Sequence, residues 1–373
     1  MPLILMVYDS AMTPVGIAEE FISATWTRCV RAPSNATLRV PFGSQAAELL
    51  QIGNLLMRMG DREALQIETR RIEKADDGTT VIEVEAFGLL KWLSRRVNLT
   101  AYDDGITISP QEIVYRLIRD NATNPANADR KLPILLYERP DFGLETVEFS
   151  ASEYSDIESL VEEQLESAAM NLFVTTDPEA GTHTFDLRMA ADKTAESATP
   201  CIFSEEFGTL GQHSFNESEE PHKNVAYVKG GDDDIAAVTV GSGSGLSRLE
   251  VGISASDIKK EYTDAQGRQR TQTAAKVREL LAQRGETELA TKYIAERTFD
   301  GEILQSEGLR YLEDYDVGDR VTIMDDLWGV RVDATITEIS EDMDENGFTQ
   351  IRATFGEGTP SLRKAIRAAV NRL

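Results

Sequence analysis

The 373-residue chain carries 64 acidic against 38 basic residues, a net charge of −26, with 41% hydrophobic residues. That composition reads as a soluble globular chain long enough for two or three domains rather than a disordered one. The acidic excess argues against a phosphate-gripping surface, which needs clustered Lys and Arg. No apolar run approaches the ~20 residues of a membrane span.

The opening MPLILMVYDS has no basic leader, and Asp9 soon interrupts its apolar run, so it predicts a first strand rather than a signal peptide. Residues 3–98 are strand-rich: FISATWTRCV, ATLRVPF, ALQIETRRIEKA and TTVIEVEAFG alternate or run apolar between Gly, Pro, Asn and Asp. ADDGT at 75–79 predicts a hairpin turn, and FGLLKWLSRRV predicts one short helical turn. Near residue 99 the pattern changes to helical periodicity. Ser109, Pro110 and Glu112 predict a capped helix start with a capping box, followed by Ile113, Val114, Leu117 and Ile118 on one face. A second helix is expected over 153–169, then a strand pair in NLFVTTD and THTFDLRMA. Strands return over 200–240, GSGSG at 241–245 reads as a flexible joint, and a helix is expected over roughly 272–296. Two strand pairs over 309–339 and 348–355 precede SLRKAIRAAVNRL, a basic amphipathic helix over 361–373.

No motif points to catalysis, and no catalytic, cofactor-binding or metal-binding residue is assigned. Asp342, Asp344, Asn346 and Gly347 occupy positions 1, 3, 5 and 6 of a calcium loop, but position 12 is Ala353 where a bidentate Glu is required. The flanks alternate as strands and Asn346-Gly347 is a turn signal, so a hairpin is expected. His183 is placed on a strand, and His213 and His222 in polar loop, with no HExxH spacing. Cys29 and Cys201 read as buried reduced thiols, and GSGSG does not fit the GxSxG nucleophile elbow. The acidic runs EDYD at 313–316 and GDDDI at 231–235 read as solvated turns.

Several stretches taken together resemble the tail-hub proteins of siphophages and related prophages, which look like the hub of contractile phage tails. They are TWTR (Trp26, Arg28), FGLLKWLSRRV, LSRLEVGISASDI at 246–258, LLAQRGETELA at 280–290, FDGEI at 299–303, YLEDYDVGDRVTI at 311–323 and the hairpin over 336–358. The resemblance implies a mainly β chain with an α/β insertion (α+β): two β-barrel-like hub domains flanking the inserted domain, in a trimeric ring. The expected spans are 1–98 with 200–240 for the first hub domain and 99–199 for the inserted α/β domain. The second hub domain, with a helical insertion, spans 246–360, and the terminal helix follows. The implied function is structural and non-enzymatic: a tail-tip or baseplate hub in the virion, assembled in the host bacterial cytoplasm. It joins the tail tube to the host-recognition apparatus and gives DNA a channel for ejection without binding it specifically. Implied partners are two further copies of the chain, a distal tail protein, the end of the tape-measure protein, and receptor-binding or tail-fibre proteins. No cofactor is implied. The alternative reading is a tail-associated cell-wall hydrolase built on carboxylates. Because the sequence stops at Leu373, the lytic region carried by some tail-tip proteins is not expected.

Overall fold

The computed structural model describes residues 3–74, 78–100, 102, 106–231, 237–263, 268–304, 308–344 and 347–356. The chain is mainly β with an α+β organisation, and it folds as two compact units. The first gathers the described residues of 1–91, 171–216 and 297–373; the second gathers those of 92–170 and 217–296.

One hydrogen-bonded sheet dominates the first unit. Its path runs from Leu210–Ser218 through Glu296–Ile303, Gly347–Gly356, Val330–Asp344, Ser23–Cys29, Asn35–Pro41 and Thr80–Gly88. It continues through Leu65–Lys74, Leu55–Arg58 and Leu5–Tyr8 to Pro14–Ala18. The strand Val330–Asp344 is unusually long because it serves two neighbourhoods. Its first half pairs with Arg320–Asp325 (Thr335 opposite Arg320), and its second half with Ser23–Cys29 (Glu341 opposite Trp26). Arg320–Asp325 pairs in parallel with Ile202–Ser204 on its other side.

Two apolar cores form on this sheet. One holds Leu5, Trp26, Leu38, Leu56, Val84 and Met343; the other holds Val30, Phe203, Phe299, Tyr315, Ile339 and Phe355. Both are built by period-two alternation, as in Asn35–Pro41, where Ala36, Leu38 and Val40 are buried between half-buried neighbours. Burying such side chains, at roughly 1.5–3 kcal/mol each, is the main drive for this sheet.

The second unit places the helix Ala274–Thr291 on a three-stranded sheet ordered Val238–Gly241, Val225–Gly230, Glu250–Ala255. Gly285 permits the close approach, since a Cβ there would stand 2.9 Å from methyls of Val228 and Val240. The helices Pro110–Ile118 and Ile157–Ser167 belong to the same unit.

These units differ from the spans expected from sequence. The strands Met170–Asp177 and Thr182–Met189, expected within an inserted 99–199 domain, belong almost wholly to the first unit. The buried Asn171 amide donates to the Gly318 carbonyl (3.0 Å), and the Thr176 amide to the Arg62 carbonyl (2.7 Å), which anchors them there. GSGSG is no joint between units: it links the two strands that flank Val225–Gly230. The expected capping box at Ser109 is also absent, because Glu112 turns to Arg116 (2.7 Å) and Arg139 (2.7 Å). The amphipathic helix expected over 361–373 and most of GDDDI lie outside the described residues.

The strands Val330–Asp344 and Gly347–Gly356 pair antiparallel with Asp344 opposite Gly347, the pairing expected of a hairpin; residues 345 and 346 lie outside the described set. Asp342 accepts a hydrogen bond from Thr25 on the neighbouring strand (2.8 Å), which occupies one would-be ligand. Calcium titration of the protein is expected to show no micromolar site that disappears in Asp344→Ala.

Candidate functional site

The strand Ser23–Cys29 turns Ala24, Trp26 and Arg28 to one face. Ala24 and Trp26 enter the first core, and Val30, just beyond the strand, enters the second. Arg28 interrupts this apolar row with 8% of its surface exposed. The neighbouring strand repeats the order: Met343 lies in the first core, Ile339 in the second, and the buried Glu341 stands between them. A buried ionic cluster therefore marks the seam between the two cores.

Within it, Arg28 Nη1 donates to Asp316 Oδ1 and to Tyr311 Oη (3.2 Å), and Arg28 Nε lies 3.5 Å from Glu63 Oε2. Ser34 Oγ donates to that same Glu63 oxygen at 2.9 Å. Arg58 stacks over the Trp26 ring at 5.0 Å, pairs with Asp61 (3.2 Å), and donates to Glu341. Burial opposes the charge on Arg28, but facing Tyr311, Asp316 and Glu63 outweigh it and raise the pKa above its ordinary value. Glu63 shows the reverse balance. Burial dominates and pushes its carboxyl up to about 7, against the pull of Arg28 and the Ser34 hydrogen bond. Burial likewise raises the Tyr311 phenol.

The loop that delivers Asp316 depends on Gly318, whose φ is +92° and where a Cβ would meet the Asn171 amide at 2.4 Å. A turn at Val317 and Gly318 precedes the strand, which starts at Arg320. A cavity of about 330 Å³ opens beside the cluster, with Arg28, Arg62 and Arg188 set against Asp61, Glu63 and Asp316 in its wall. Its chemistry is that of mutually neutralising ions, and Glu63 is placed to exchange a proton near neutrality.

Sequence reasoning marks Arg28 and the 311–323 stretch separately and does not join them. EDYD is not a solvated turn throughout: Tyr315 is 1% exposed in the second core, and Asp316 binds Arg28. The available signal is the charge at Arg28 in step with Ala24 and Trp26. Of the histidines, His183 is buried on its strand and shares a 2.9 Å hydrogen bond with Thr176 Oγ1. His222 lies in loop, whereas His213, also expected in loop, sits on the strand Leu210–Ser218. Both cysteines are free thiols, Cys201 buried and Cys29 half-buried. Among the described residues no helix is long and apolar enough to cross a membrane. One group of described side chains, Glu205, His213 and Asp325, has metal-ligand chemistry and shares no residue with the Arg28 cluster.

The profile of the family described as Siphovirus ReqiPepy6 Gp37-like protein matches residues 4–357. No curated protein matches the sequence. The fold is similar to that of the tail protein from Neisseria meningitidis MC58, at 10% identity and a TM-score of 0.57, covering 96% of this chain and 97% of that one. It is also similar to the 43 kDa tail protein of prophage MuSo2 from Shewanella oneidensis (12%, TM-score 0.55, 95% and 98% covered). A third similar structure is the prophage tail protein gp18 from Listeria monocytogenes EGD-e (11%, TM-score 0.51, 100% and 99% covered).

Proposed function

Because the chain belongs to the Siphovirus ReqiPepy6 Gp37-like family of phage tail proteins, we propose that it is the structural hub of a tail tip. In this reading three copies form a ring, each contributing two β lobes, so that six lobes meet the tail tube. The observation that supports it is the sheet with two cores sharing the strand Val330–Asp344. The ionic seam around Arg28 would hold the two lobes of a subunit at a fixed angle. The subunit joins a distal tail protein and the end of the tape-measure protein to receptor-binding or tail-fibre proteins, and works without catalysis. Native mass spectrometry of the purified protein is expected to give a trimer, and negative-stain images a ring. A monomer by both measurements would rule out the hub assembly.

DNA leaves through the bore in this reading, and a wall of Asp and Glu repels phosphates where Lys and Arg would hold them. The 26 net negative charges per chain supply such a lining. The protein is expected not to retard duplex DNA in a gel at moderate salt; a salt-sensitive shift contradicts this.

One observation favours the second reading, a cell-wall hydrolase: Glu63, with its pKa near 7, lines a cavity that also carries Asp61 and Asp316. Peptidoglycan suspensions are expected to keep their turbidity with the protein present. Clearing by the parent protein but not by Glu63→Gln would establish the hydrolase instead.

A further inference from the structure

Three side chains from three segments converge at one end of the second core. Glu205 follows the strand Ile202–Ser204, His213 lies on Leu210–Ser218, and Asp325 ends Arg320–Asp325. One ligand atom of each lies within 4.8 Å of the other two. We propose that they form a binding site for a divalent first-row transition ion of the Zn2+ type.

The ring of His213 carries the argument. Its Nδ1 lies 2.7 Å from the Gly211 carbonyl oxygen, and its Nε2 lies 2.7 Å from Asp325 Oδ2. A neutral imidazole has one N–H and cannot donate to both oxygens. A further proton, on the ring or on the Asp325 carboxyl, or a metal ion therefore lies between Nε2 and Oδ2. With Nδ1–H turned to a backbone carbonyl, Nε2 faces the carboxylate, which is the second-shell arrangement that orients a metal-binding histidine. The ring is locked by stacking on Phe299 (centroids 5.2 Å apart, 14° between planes) and by contact with Trp328 (4.7 Å).

Asp325 is prepared in the same way. Its Oδ1 accepts the Trp328 backbone N–H at 2.7 Å, leaving Oδ2 for the shared cation. The side chains of His213 and Asp325 are 7% and 6% exposed. Glu205 is exposed and forms the open side, beside a cleft of about 390 Å³ that also carries Glu206 and Asp326. A proton needs one carboxylate; here a second is brought to the same imidazole. One nitrogen and two carboxylate oxygens suit Zn2+, Co2+ or Ni2+ better than Mg2+ or Ca2+, which prefer all-oxygen shells.

The position gives the ion a role. Ile202–Ser204 and Leu210–Ser218 lie at opposite ends of the run of strands around the second core, through Arg320–Asp325 on one side and Glu296–Ile303 on the other. An ion held by Glu205, His213 and Asp325 clamps those ends together.

The test uses the untagged full-length chain after EDTA treatment and dialysis, titrated calorimetrically with Zn2+ and melted with and without it. One Zn2+ per chain and a higher melting temperature are expected, with no rise from Ca2+ or Mg2+. Glu205→Gln, at an exposed position that spares the core, is expected to weaken Zn2+ binding at least ~10-fold. His213→Gln is expected to abolish it. Absence of Zn2+ binding, an equal response to Ca2+, or unchanged affinity in Glu205→Gln each overturns the proposal. The Glu205 variant decides the matter even if the His213 variant fails to fold.

Discussion

Replacing Arg28 with methionine is expected to destabilise the first unit by about 3 kcal/mol, measured as a shift in the urea midpoint at unchanged slope. Methionine keeps much of the buried stem, so the loss reports the guanidinium rather than a cavity. Removing one partner of a buried ion pair typically costs about 3–5 kcal/mol because the other charge is left uncompensated. Two features place this site at the low end. The Asp316 side chain is about a third exposed (34%) and can rehydrate, and Glu63 can take up a proton. Arg28→Lys is expected to recover little, since one ammonium cannot serve Asp316, Tyr311 and Glu63 from the positions a planar fork reaches. Hydrogen exchange separates this from general loosening. Amides at 316–319, which depend on the anchored loop, are expected to lose protection before those of Asn35–Pro41. If the variant matches the parent in stability, the seam carries no net energy and its proposed part in fixing the lobes fails.

The sequence shows much of this architecture and little of the site, for one physical reason. Alternation is a local signal, so Asn35–Pro41, Thr80–Gly88 and the pairing of Asp344 with Gly347 can be read from neighbouring residues. Capping and helical periodicity do the same for Pro110–Ile118 and Ile157–Ser167, although the capping box is lost where Glu112 finds arginine partners. Grouping of elements is not local. The strands Met170–Asp177 and Thr182–Met189 look like the end of an α/β segment, whereas the bonds from Asn171 to Gly318 and from Thr176 to Arg62, with Phe173 packed on the second core, assign them elsewhere. The Arg28 cluster draws on residues 28, 63, 311 and 316, so a single chain pass sees four ordinary polar residues. His213 escapes a sequence reading for the same reason. Its neighbours in sequence are polar, whereas Phe299, Trp328 and Asp325 come from distant segments.

Substituting Glu63 with glutamine is expected to make the protein more stable above pH 7, by up to about 3 kcal/mol, and to have little effect near pH 4.5. The reason is the direction of the Glu63 shift. Burial raises its carboxyl from 4.5 to about 7, so the folded state holds this proton more tightly than the unfolded chain does. A group raised in this way contributes its stability fully below the unfolded value of 4.5. That contribution is lost as pH rises through about 7, where a buried carboxylate must ionise. Glutamine keeps the shape and an acceptor for the Ser34 hydroxyl and has nothing to ionise. Its neutral amide resembles the protonated acid that burial already favours. The gap between variant and parent should therefore open between about pH 5 and 8, whereas an ordinary paired carboxylate, its pKa lowered, would give no trend there and the opposite trend below about pH 5. Other carboxylates titrate over part of that range in both proteins, and subtracting the two stability curves removes them. A gap that closes with rising pH would mean the pair with Arg28 outweighs desolvation. The carboxylate form would then be the one the seam is built around, and the proton-exchange role open to Glu63 in the hydrolase reading would go with it.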